Sequence, residues 1–233
     1  MNEQRTEHLV DKDKILEYVR SRSKEHNVAY SAGKSDPNKL IELVGKKNAG
    51  FDLVNSEFAN STDCAKGCSH CCYLPVDVMA FEVIAIYEYM KANMDCATQT
   101  AILNRINTRF NEISTLSIKE EKSSSRRCPL LNDHDKCSVY PVRPSNCAGM
   151  VSLDSKLCEE WKNTSSDDIE FETPGKIGTW RAIELKALEH VAADHGDTIE
   201  QYSLARALHA VLNRPSLVKR WKKSRKTNLG PTV

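Results

Sequence analysis

The sequence predicts a mostly α fold in which helices pack around an irregular, cysteine-rich loop region. Three observations predict it. Apolar residues recur at helical spacing on both sides of the chain's middle, and prolines and a glycine break that period within it. Strand-like character is confined to a short piece near Cys137-Ser138-Val139-Tyr140. At 233 residues the chain is long enough to bury a sizeable core.

Residues 1–60 read as charged helices broken by the turn-like stretch from Ser31 to Asn38, which contains Gly33 and Pro37. Gly67 and Pro75 then argue for a loop. Val76, Met79, Ala80, Val83, Ile84, Tyr87 and Met90 trace an amphipathic helix, with Asp77 placed where an N-terminal carboxylate stabilises it. A second helix carries Ile102, Ile106, Phe110 and Ile113 on one stripe.

Between Ser123 and Asn163, Pro129, Pro141, Pro144 and Gly149 interrupt any period. A segment this irregular cannot bury a continuous apolar face and needs another source of rigidity. Beyond the acidic connector from Asp167 to Glu172, Trp180, Ile183, Ala187, Leu188 and Val191 form a helical stripe that Gly196 ends. Asp197 and Glu200 resemble a capping box for the next helix, whose stripe is Tyr202, Ala205, Leu208, Val211 and Leu212 and whose stop is Pro215. The tail from Lys219 to Lys226 is strongly basic and reads as a solvated terminus, with contact to nucleic acid or an acidic partner as the weaker alternative. These shifts suggest an N-terminal helical extension (1–60), a cysteine-rich metal-binding domain (61–160), and C-terminal helices with a basic tail (161–233). All three can equally form one globular unit.

The 40% apolar and 28% charged composition is that of an ordinary soluble protein, and a formal charge of +1 implies no general pull toward nucleic acid or membrane. No apolar run approaches the ~20 residues of a membrane span. The polar start, MNEQRTEHLVDKDK, has no signal-peptide core. The expectation is a cytoplasmic protein with no membrane partner; a protein partner is left open. In a reducing compartment, clustered thiols are metal ligands or redox groups more often than disulfides.

Of nine cysteines, four fall within nine residues, as Cys64-x-x-x-Cys68-x-x-Cys71-Cys72. Thiolates bind soft or borderline metals through short bonds, and a turning backbone can aim sulfurs spaced by two or three residues at a common centre. The flanking Asp63, Lys66, Ser69 and His70 argue against four merely apolar cysteines. Adjacent side chains diverge, so Cys72 is either strained toward the same ion or serves a second centre. A second group, Cys128, Cys137, Cys147 and Cys158, lies in the proline-broken segment.

Cys96 stands alone between two helices and reads as packing. Among the other candidates, His70 reads as a surface or supporting residue rather than a ligand, and Tyr140 as core. For Arg143 two readings are open: offsetting thiolate charge, or an ordinary salt bridge. A structural zinc or a 4Fe–4S cluster takes four ligands, so eight thiols predict more than one metal atom per chain.

These residues resemble the YkgJ-type cysteine-cluster family, a zinc- or iron-chelating domain. Its signature is a CxxxCxxCC-like cluster, then C-P-x-L, then C-x-x-Y-x-x-R-P-x-x-C. The matching residues are Cys64, Cys68, Cys71 and Cys72; Cys128, Pro129 and Leu131; and Cys137, Tyr140, Arg143, Pro144 and Cys147. The resemblance spans about residues 61–160, and Cys158 supplies an eighth thiol. It implies zinc or iron as cofactor, an iron–sulfur cluster of the 4Fe–4S type among the options.

Flagellin lysine-N-methylase carries a related cysteine domain. An iron–sulfur-dependent protein-modifying enzyme is therefore an alternative to a metal-binding protein, as is a metal carrier. The first three cysteines also resemble the radical S-adenosylmethionine motif, but no repeated βα pattern follows them. There is no glycine-rich strand–turn–helix for a nucleotide cofactor, no P-loop, no Ser–His–Asp set and no paired-carboxylate motif, so catalytic residues are not assigned.

Overall fold

A computed structural model describes residues 12–64, 67–166, 168–224 and 227–233. The fold is mostly helical, as expected. It begins with α1 (Lys12–Ala32) and α2 (Pro37–Ser56). The turn between them ends where Asp36 caps α2, accepting from the Asn38 N–H at 3.0 Å, with Pro37 at the first helical position.

The stretch expected to be one helix from Val76 divides in two. Asp77–Met79 form strand β1, and α3 runs from Ala80 to Asn93. β1 pairs antiparallel with β2 (Gln201–Ser203) in the register Asp77↔Ser203, Val78↔Tyr202 and Met79↔Gln201. Asp77 does not act on a helix terminus; its carboxylate accepts from Lys122 at 2.9 Å. Nor is α3 amphipathic. Ala80, Phe81, Val83, Ile84, Ala85, Ile86 and Met90 are all buried, so this helix is the centre of the fold.

α4 (Cys96–Ile113) begins at Cys96, which is its exposed first residue rather than part of a linker. Asp95 caps it, accepting from the Thr98 N–H at 2.7 Å. Short α5 (Ile118–Lys122) opens with a Ser117/Glu120 capping box. The proline-broken segment contains a 3-10 turn at Tyr140–Val142, α6 (Ser145–Ala148) and α7 (Ser155–Thr164). Where a strand was expected near Cys137, there is a single bridge, Leu131 to Cys137.

α8 (Gly175–Asp194) lies along α1, and Gly196 at φ +69° ends it. β2 follows, so Asp197 and Glu200 start no helix and Tyr202 belongs to a strand. The helix begins instead at Leu204 (α9, Leu204–Asn213). Asp197 is buried and accepts from the Tyr30 hydroxyl at 2.6 Å and the Trp221 indole N–H at 2.5 Å.

That last bond corrects the reading of the tail. Ser216–Ser224 form α10, and its Trp221 is wholly buried among the core residues. The positions 225–226 of the basic run lie outside the described residues. The main core takes residues from all three stretches distinguished in the sequence, from Tyr30 to Leu229. At the α1–α8 contact, buried His26 and Arg22 both bond Glu184, His26 at 2.8 Å. Among the described residues no helix is long and apolar enough to cross a membrane.

Candidate metal centre

The first cysteine cluster leaves α2 through a loop in which Gly67 adopts φ +97°, then tightens into a 3-10 turn at His70–Tyr73. A glycine is suited to this turn because the left-handed backbone strains any residue with a Cβ. The turn brings the Cys71 and Cys72 thiols into a hydrogen bond with each other, and Cys71 lies within electrostatic reach of Cys64 and Cys158 as well as of Cys137 and Cys147.

Cys64 accepts from the Ser152 N–H at 3.3 Å and lies 3.8 Å from the Ser152 carbonyl. Cys158, in the first turns of α7, donates to the Asp154 carbonyl at 3.7 Å, with the Ser152 side chain also hydrogen-bonded to it. α7 packs against the 70–73 turn. Cys64 and Cys158 each lie within electrostatic reach of Cys68 and Cys71. Asp154, which caps α7 through the Lys156 N–H at 2.8 Å, fixes this corner. Asp63 adds a bond from the Ser155 N–H at 3.2 Å.

Cys72 adds the link to the second cysteine group. Its carbonyl accepts from the Cys128 N–H at 2.8 Å, and its thiol neighbours are Cys71, Cys128 and Cys147. The 128–138 hairpin is held by the Ser138 N–H to Leu130 carbonyl bond at 2.9 Å and the Leu131–Cys137 bridge. Cys147 rides on α6 and lies within reach of Cys128, Cys137 and Cys71.

Beneath α6 sits a buried polar network that the sequence did not disclose. Glu82 accepts from the Ser145 N–H at 2.8 Å, the Ser145 hydroxyl at 2.7 Å and Lys47 at 3.2 Å. Lys47 also donates to Ser145 at 2.6 Å. Both charged side chains are essentially unexposed. The one local signal for Lys47 is its place at helical spacing on the apolar stripe of Leu40, Leu43, Val44, Phe51 and Val54.

The thiols differ electrically. A hydrogen bond with Cys72 holds Cys71 down to about 7 against its burial, and Arg143 adds to the effect. The same bond, with burial, pushes Cys72 far up. Burial pushes Cys128 up to about 11 and Cys147 well above the ordinary thiol value. Arg143 serves both of the roles left open: it is paired with Asp52, and its charge favours the thiolates of Cys71 and Cys137. Its guanidinium lies 4.0 Å from the centre of the Tyr140 ring, which is 54% exposed and not core.

Thus all eight candidate thiols occupy one region, drawn there by α2, the 70–73 turn, the 128–138 hairpin, α6 and α7, while Cys96 lies outside it. Among the described residues no three Cys, His, Asp or Glu side chains already stand in an arrangement that could hold a metal ion. The donor chemistry nonetheless fits zinc or iron: the thiols are soft donors and all are free. His70 Nδ1 is buried at the centre's edge and has no hydrogen-bond partner among the described residues. Side chains must turn inward for a metal to be held.

Together these features define a thiol-rich centre on a helical scaffold. Residues 63–168 match the model of the CxxCxxCC family, described as "Putative zinc- or iron-chelating domain", so this part of the chain is similar to that cysteine-cluster domain. No curated protein and no solved structure matches the chain.

Proposed function

We propose that the chain binds zinc or iron through the thiolates of Cys64, Cys68, Cys71, Cys72, Cys128, Cys137, Cys147 and Cys158, holding more than one metal atom. The observation that carries this reading is the gathering of eight free thiols from three separate stretches of sequence into one region. Metal–thiolate bonds would give the irregular 61–74 and 123–163 segments the rigidity that their backbone lacks. Free thiols in this number also favour a reducing compartment such as the cytoplasm.

With iron and sulfide, the same donors would hold an iron–sulfur cluster; the protein-modifying alternative depends on that form. Anaerobic purification, metal and sulfide analysis, and an absorption spectrum separate the cases. Iron with stoichiometric sulfide and broad visible absorption identifies a cluster. A colourless protein with zinc identifies thiolate-bound zinc. A freshly isolated, reduced chain that retains neither metal refutes chelation.

A further inference from the structure

We propose that a cavity beside the thiol region is a seat for one small oxyanion, a phosphate or a carboxylate, held by Arg109 and Arg126. The seat does not depend on which metal, if any, the thiols hold.

The cavity is about 50 Å³. Residues 73–76, where the chain leaves the first cysteine cluster, form one side of it, and the stretch from Ser124 to Pro129 forms another. Helix α4 adds Arg109 and Ile113, and α9 adds Leu204 and Ala205. A space of that size takes a few water-sized groups, which suits an oxyanion and is too small for a whole nucleotide.

Its charged wall is unevenly balanced. Glu121 is spent within the protein, accepting from the Ser203 hydroxyl and from Arg206 Nε at 2.6 Å. Arg127 is engaged as well, by the Leu131 and Asn132 carbonyls at 3.2 and 2.6 Å and by Asp135 at 3.0 Å. Arg109 and Arg126, by contrast, share one carboxylate oxygen. Glu112 Oε2 lies 2.9 Å from Arg109 Nη1 and 3.7 Å from Arg126 Nη1, and the Glu112 side chain is 43% exposed. Two guanidiniums therefore face one half-solvated counter-charge.

A buried donor is also left over. Arg109 Nη1 is at ion-pair distance from Glu112, yet no acceptor among the described residues meets it in hydrogen-bond geometry. Arg109 Nη2 donates to the Arg127 carbonyl and Arg126 Nε to the Ser124 hydroxyl at 3.0 Å, so both side chains are fixed against the same segment. Burial holds the Arg109 guanidinium below its usual value, with Glu112 opposing and Arg126 adding to the effect. An oxyanion would supply the missing charge and the missing acceptor together, because guanidinium donors match pairs of phosphate or carboxylate oxygens. Pro75, Val76, Ile113 and Leu204 make the rest of the wall apolar, which strengthens such a contact.

The place in the fold gives the ligand a role. Along this seam the Arg126 N–H donates to the Tyr73 carbonyl at 3.1 Å and the Cys128 N–H to the Cys72 carbonyl at 2.8 Å. A bound anion braces the seam that joins the two cysteine groups.

The test uses the full chain as isolated, with its metal content measured. Sodium phosphate, sodium acetate and sodium chloride are titrated separately at constant ionic strength and followed by calorimetry. The expected result is one phosphate or one acetate per chain with Kd below about 1 mM, and no response to chloride. Hydrogen exchange should slow at 73–76 and 124–129 when the anion is bound. A response to phosphate alone identifies a tetrahedral ligand, and one to acetate alone a carboxylate.

Arg126→Gln should weaken binding at least about tenfold. Ala205→Leu, which fills the cavity while keeping every charge, should do the same. Arg20→Gln, on the exposed side of α1, should change nothing. If Arg126→Gln loses helix content, Ala205→Leu and the exchange pattern decide. No binding by the unaltered chain, full affinity in Ala205→Leu, or an equal loss in Arg20→Gln would overturn the seat. None of these results bears on whether the thiols chelate, which the metal content reads separately.

Discussion

Glu82→Ala tests how the central helix supports the thiol region. Glu82 is 1% exposed and neutralises Lys47, also 1% exposed. It further accepts the Met79 N–H at 3.1 Å and the Ser145 N–H at 2.8 Å. Truncation leaves a buried ammonium without its counter-charge, a loss of about 3–5 kcal/mol. The two orphaned backbone donors add to it, each about 1–3 kcal/mol where water cannot enter.

Taking the lower range, the urea midpoint should fall by roughly 2 M at a slope near 2 kcal/mol/M. The assay is equilibrium urea denaturation of the isolated protein, with helix content as the signal. Lys47→Met, Glu82→Leu and the double variant Lys47→Met/Glu82→Leu complete a cycle. The double variant should be far more stable than the sum of the singles implies, because an apolar pair of similar volume removes both charges together. A Glu82→Ala loss under about 1 kcal/mol, or strictly additive losses, would refute the idea that this pair is buried and coupled.

Cys71→Ser should lose metal and render residues 61–75 and 125–160 sensitive to protease while α8 and α9 stay protected; limited proteolysis with mass mapping reads this directly. Cys96→Ser should keep the full metal content and Cys72→Ser should lose part of it, by elemental analysis of freshly purified protein.

Trp221→Ala should cost about 3–5 kcal/mol in thermal or urea unfolding, since it empties a core site and strips a donor from Asp197. Burial raises Glu184, but His26 and Arg22 outweigh it and hold the carboxyl below its ordinary value. Its stabilising contribution is therefore present above the unfolded-state value of about 4.3 and is lost as pH falls through the lower folded value. Glu184→Gln should flatten the stability slope in that acid window, and an unchanged slope would exclude Glu184 as its source.

The helices that could be read from sequence are those with local signals. α2 has Asp36-Pro37, α8 has its stripe and Gly196, and α9 stops before Pro215. The strands could not be read, because Asp77–Met79 and Gln201–Ser203 are three residues each and find one another only across most of the fold. Within a helical period they look like the first turns of α3 and α9. Trp221 was hidden among lysines and arginines, although Leu217, Val218 and Trp221 lie at helical spacing and mark the buried side of α10.

The cysteines announced the site by spacing alone. Their grouping did not appear there, since it depends on where the 152–154 turn and the 128–138 hairpin come to rest. Lys47 shows a different limit: it falls at helical spacing on the stripe of Leu40, Leu43, Val44, Phe51 and Val54, but a lysine there does not reveal which carboxylate will pair with it.

The pairing of β1 with β2 also sets an order of events during synthesis. The chain leaving the cysteine cluster through Asp77 is clasped only when Ser203 arrives from the opposite end of the sequence. At about 5–20 residues per second, the 131 positions from Cys72 to Ser203 take roughly 6 to 26 s to appear. For that interval the first four thiols are made while their clasp, and α9 behind it, do not yet exist. Until then those thiols stand on a stretch of chain that nothing downstream yet holds in place.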